Sequence, residues 1–70
     1  MLALRQAAHE NEYDAKLWAL YGVQCARVGR MDDAESALTH AAWLRDRRHE
    51  PAKARVTRTV LARLVGERAA

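Results

Sequence analysis

The sequence predicts an all-α protein, an antiparallel stack of about four helices, on three observations. Fifteen of the 70 residues are Ala and eight are Leu, with no Ile and no Phe. Ala and Leu are strong helix formers, whereas strands draw on β-branched and aromatic residues. Apolar residues recur at the three-and-four spacing of a helix face in four successive blocks. The breaks between blocks are short and polar, so neighbouring helices must reverse direction and pack side by side.

The first block is Leu2 to Glu10. The second covers 14–28, with Leu17, Trp18, Leu20, Tyr21 and Cys25 expected on one face, and Gly29 directly after it reads as the stop, where the chain turns left-handed. The third covers 32–47 and opens on Asp32, Asp33 and Glu35, carboxylates that suit the positive end of a helix dipole. Its inner residues are Ala34, Ala37, Leu38, Ala41 and Leu44. The fourth starts at Pro51, tolerated at a first helical position because its missing N–H has no intrahelical partner there. Val56, Val60, Leu61, Leu64 and Val65 carry it to Gly66, the expected stop, with 67–70 fraying beyond.

A chain of 7.9 kDa has room for one domain and buries only about 60% of its unfolded surface, so a partner covering one face would add materially to its stability. The single cysteine, Cys25, cannot close an internal disulfide, which fits a reducing compartment. No apolar run approaches the roughly 18 residues of a membrane span, and the apolar start is too short for a signal peptide. These features set the expectation of a cytoplasmic, bacterial protein, and GC-rich codons by themselves produce Ala- and Arg-rich usage of this kind. Positions 1–44 hold four basic and six acidic side chains and positions 45–70 hold eight and three, so the formal charge of +3 is a C-terminal property. Arg45, Arg47, Arg48, Lys53, Arg55 and Arg58 crowd the break between the last two blocks, as a basic surface for a partner or as a solvated face that complements a helix C-terminus.

Between Ala15 and Arg48 the spacing of Trp18, Gly22, Gly29, Ala34, Leu38 and Ala41 exceeds what amphipathicity alone requires. The stretch ALYGVQCARVGRMDDAESALTHAAWL resembles the 34-residue tetratricopeptide (TPR) repeat. The physical sense is close helix approach: Gly22 and Ala34 lack bulk, while Trp18 and Leu38 fill the wedge beside them. Shifted back by one repeat, Ala37, Leu38 and Ala41 fall on Ala3, Leu4 and Ala7; shifted forward, Trp18 and Gly22 fall on Ala52 and Val56, where the signature decays. The resemblance thus implies a TPR-like α-solenoid fragment: a half repeat over 1–11, a full repeat over 14–47 and a capping helix over 51–66. Cys25 stands where the family usually has Tyr, Arg30 where an acidic cap follows the turn Gly, and Asp46 where Pro is usual.

No catalytic constellation or cofactor motif is present in the sequence. His9, His40 and His49 lack metal-ligand spacing, Cys25 lies on an apolar face with only His40 expected near it, and no Gly-rich phosphate loop exists. Trp18 and Tyr21 are expected in the core; Trp43 lies beside the apolar face, either packing on the last helix or exposed. The resemblance places ligand contacts on Lys16, Ala19, Val23, Ala26 and Arg27, a mostly apolar strip without the Asn and Lys set of carboxylate clamps. Leu2 and Leu4 belong to a half repeat without a mate and are expected to seek a partner, a second copy included. The expected function is a small adaptor, chaperone or accessory subunit that binds an apolar segment of another protein, not an enzyme and needing no cofactor. The alternative is nucleic-acid binding through the basic C-terminal part, against which stand the modest charge and the lack of aromatics among the cations of 45–70.

Overall fold

The computed structural model describes residues 2–69, and among them the chain is all-helical: α1 (Leu2–Glu10), α2 (Ala15–Arg27), α3 (Met31–Arg47) and α4 (Pro51–Ala69). Of the expected contact residues, Leu2 has a side chain that lies outside the described residues. Consecutive helices pack in chain order, with α2 on α3 and α3 on α4 in extensive contact and α1 on α2 in slighter contact. The Cα trace spans 33 × 27 × 12 Å. A body that thin, against a helix diameter of about 10 Å, leaves each helix one face to solvent.

Local chemistry sets the helix ends. Asp14 caps α2 by accepting the Leu17 N–H at 3.3 Å. At its far end Gly29, at φ +82°, donates its N–H to the Ala26 carbonyl, and Arg30 donates to the Cys25 carbonyl at 2.8 Å. That reciprocal pair is a left-handed helix stop which satisfies carbonyls left open by the last turn. The connection from α3 to α4 repeats it: His49 at φ 58° donates to Asp46, and Glu50 donates to Arg45 at 2.9 Å. Here the left-handed place falls to a residue with a Cβ, strained where Gly29 is not. Gly66, by contrast, does not stop α4, which continues to Ala69. Glycine ends a helix through the left-handed turn, and among the described glycines only Gly29 has positive φ; a helical Gly merely weakens the helix by about 1 kcal/mol.

The core is small-residue packing. Ala8, Tyr21, Cys25, Ala34 and Ala37 form its centre, with Leu4, Leu17, Trp18, Ala26 and Leu64 packed against them. At Gly22, α2 and α3 approach closely: a Cβ there would stand 2.8 Å from Leu38 Cγ and 3.3 Å from the Ala34 carbonyl oxygen. Leu38, Ala41, Ala42 and Leu44 of α3 and Ala54 and Thr57 of α4 are buried as well. The inward face of α4 is thus Ala54, Thr57, Leu61 and Leu64, while Val56 and Val65 point to solvent, correcting the face expected for this helix. Buried Thr57 donates to the Lys53 carbonyl at 2.9 Å and accepts from Arg45 at 2.6 Å.

Candidate protein-docking surfaces

The contact residues expected from sequence separate into three places. Lys16, Val23 and Arg27 lie exposed on the outer face of α2, whereas Ala19 and Ala26 are half-buried at its flank, Ala26 against the core. Leu4 is half-buried and packs into the core, so it does not form a free edge. Trp43 is exposed on α3. Periodicity predicts Leu20 on the inward face, but it stands outside at 48% exposure, beside Val23 at 36%. With exposed Tyr13 before the helix, the outer face of α2 becomes Tyr13, Lys16, Leu20, Val23 and Arg27, a stripe at alternating three- and four-residue steps. The pattern was visible in the residue spacing; inward and outward stripes on one helix are told apart only by which one carries Gly22 and Cys25.

A groove of about 400 Å³ opens between the first three helices, floored by Trp18, Tyr21 and Ala37 and walled by Arg5, His9, Glu12, Asp33, Ser36 and His40. Trp18 is its hub. Its ring meets His9 edge-on at 5.1 Å, His40 at 4.7 Å and Tyr21 at 6.1 Å between centroids. The Trp18 indole N–H donates to the Glu12 carbonyl at 3.0 Å, and His40 Nε2 lies 2.8 Å from the same oxygen. A carbonyl oxygen only accepts, so His40 carries its proton on Nε2, and the turn before α2 is tied to both α2 and α3. His40 is therefore engaged with Glu12 and Trp18, while the Cys25 thiol is fully buried in the core cluster that also holds Tyr21. Burial, the Cys25 thiol and the Asp33 carboxylate push the Tyr21 phenol above its ordinary range; Arg5 pulls the other way.

The basic residues are dispersed among different tasks. Arg45 holds Thr57 across the α3–α4 contact. Arg58 forks onto both carboxylate oxygens of Asp46, holding that acid below the usual carboxylate range. Arg47 lies 4.8 Å over the Trp43 ring, whose other neighbour, His40, stacks at 25° and 5.8 Å. Arg48, Lys53 and Arg55 remain exposed cations around the turn.

No helix among the described residues is long and apolar enough to cross a membrane, and no group of three or more His, Cys, Asp or Glu side chains is arranged to hold a metal ion. No family model, curated protein or solved structure matches the chain.

Proposed function

We propose that this chain is a protein-interaction module of TPR-like architecture, a small adaptor, chaperone or accessory subunit whose α2 face receives an apolar segment of another protein. The observation that carries the reading is the outward stripe of α2. Leu20 and Val23 stay in water there, with Lys16 and Arg27 bracketing them and Tyr13 at one end. A contiguous apolar stripe rimmed by polar residues is the usual form of a docking surface. The near-contact of Gly22 with Leu38 and Ala34, together with the left-handed stop at Gly29, supports the TPR-like reading. On that reading α1 is a half repeat, α2 and α3 a full one, and α4 a cap.

Nucleic-acid binding finds less support, because three of the six residues expected to form the basic surface are engaged within the fold: Arg45 on Thr57, Arg58 on Asp46 and Arg47 on Trp43. For an enzymatic reading the Cys25 thiol offers little, because it is fully buried. On this reading the protein acts in a bacterial cytoplasm and needs no cofactor.

Site-specific photo-cross-linking tests the proposal. A photoreactive residue at Val23, in living cells, is expected to trap discrete protein adducts that disappear on Leu20→Asp. The same probe at Thr59, on the outside of α4, should trap none. Equal labelling from both positions, or adducts indifferent to Leu20→Asp, would remove α2 as the docking face.

A further inference from the structure

We infer that the outer face of α3 is a self-complementary surface through which two copies of this chain pair antiparallel. This surface is separate from the α2 face. Asp32, Ser36, Thr39, Trp43 and Arg47 are all exposed and recur every three or four residues, so they form one stripe about 22 Å long. Its knob is Trp43, 46% exposed and held upright between the His40 ring and the Arg47 guanidinium. His40 is itself anchored by its bond to the Glu12 carbonyl, so the knob is ordered before any partner arrives. Its socket is the adjoining groove of about 560 Å³ bounded by Glu35, Ser36, Thr39, His40 and Trp43, where small Ser36 leaves the space an indole needs.

Antiparallel register brings these parts together twice. With the two-fold axis between Thr39 and His40, Trp43 of each copy sits against Ser36 of the other, and Arg47 of each sits against the Asp32–Asp33 turn of the other. Both ends of the seam then pair opposite charges. Parallel pairing does the reverse, setting Arg47 on Arg47 and the acidic turns on each other. The α2 stripe cannot pair with itself: the antiparallel register that seats Leu20 on Val23 opposes Lys16 to Arg27, and parallel pairing opposes each cation to itself. A symmetric pair needs a patch that complements its own image, and among these two stripes α3 alone has one. One helix seam is small by interface standards, which places the dimer in the weak, concentration-dependent class.

Sedimentation velocity on the full chain, from low micromolar to near-millimolar concentration, tests this. A monomer–dimer equilibrium is expected. Trp43→Ala should weaken it at least about tenfold, as loss of a central aromatic anchor does. Arg47→Glu should weaken it about tenfold or more by placing like charges at both ends. Asp32→Lys with Asp33→Lys should do the same, and an equimolar mixture of this variant with Arg47→Glu should dimerise again, since every end pair is then opposite in charge. Circular dichroism checks that each variant stays helical; if the double lysine variant does not, Trp43→Ala and Arg47→Glu decide, both residues being exposed. A chain that stays monomeric throughout, or a dimer unmoved by Trp43→Ala and Arg47→Glu, overturns the inference. Folded charge variants that fail to recombine overturn the antiparallel register.

Discussion

Gly22→Ala tests how the fold is held together. Ordinary carbon contacts settle at about 3.5–4.0 Å, but the new methyl would meet Leu38 Cγ at 2.8 Å and Cδ2 at 3.1 Å. Leu38 is 1% exposed, so its side chain has nowhere to swing, and the Ala34 carbonyl, 3.3 Å away, belongs to the backbone of α3. Overpacking of this kind costs about 1–3 kcal/mol. Replacing a helical Gly by Ala returns about 1 kcal/mol of propensity. The net expectation runs from near zero to about 2 kcal/mol of destabilisation, a fall in Tm of up to about 16 °C for a domain of this size. Thermal and urea unfolding followed by circular dichroism reads it, with Gly66→Ala as control, because a methyl there meets nothing within 4 Å. The control should gain up to about 1 kcal/mol, the propensity return without the clash. Combining Gly22→Ala with Leu38→Ala should cost about 1–2 kcal/mol less than the two changes summed, because the second makes room for the first. A Gly22→Ala protein that melts above the parent would refute close helix approach as the reason for glycine at this position.

His49→Gly should stabilise by about 0.5–1 kcal/mol, read by the same melts, since the left-handed φ of 58° strains a residue with a Cβ. Thr57→Val should destabilise by about 1–2 kcal/mol, because Arg45 loses its acceptor across the α3–α4 contact. Tyr21 has its folded-state phenol pKa raised above the ordinary value near 10, so its contribution is fully present below that value and is lost as pH rises through the folded-state pKa. Urea midpoints measured upward from pH 9 should therefore fall, and Tyr21→Phe should flatten the decline. Asp46 has the opposite sign: its folded pKa is lowered, so the Arg58 pair supports the fold above the unfolded carboxylate value and is lost as pH falls through the folded one. An Asp46→Asn variant should lack that acid-side loss, and the exposed pair should matter less in salt.

Helix positions were legible because each rests on local chemistry. Asp14 accepts a backbone N–H, Gly29 adopts positive φ, and Pro51 occupies a place where its missing N–H is harmless. What misled was residue type taken without geometry. Gly66 looks like Gly29 in one-letter code, but no left-handed turn forms there and the helix runs on. On α4, large Val56 drew attention from small Ala54 and Thr57, which are buried. On this helix the small residues face inward while large Val56 stays outside. Apolar bulk is then a poor guide to burial.

The same inversion governs the surfaces. Sequence counts placed the charge excess in the C-terminal part, yet Arg45, Arg47 and Arg58 serve the contact with Thr57, the ring of Trp43 and the carboxylate of Asp46. Charge tally therefore says less about partners than the residues left in water do. Those residues, Leu20 and Val23 on α2 and Trp43 on α3, fall on the outer faces of adjacent helices, each bracketed by ionic groups. On α2 both brackets are cations, which repel a second copy and suit a partner carrying carboxylates. On α3 one bracket is acidic and the other basic, which suits its own image turned end to end. Two surfaces with different charge symmetry can be occupied at once, so disrupting α3 pairing should leave docking on α2 intact.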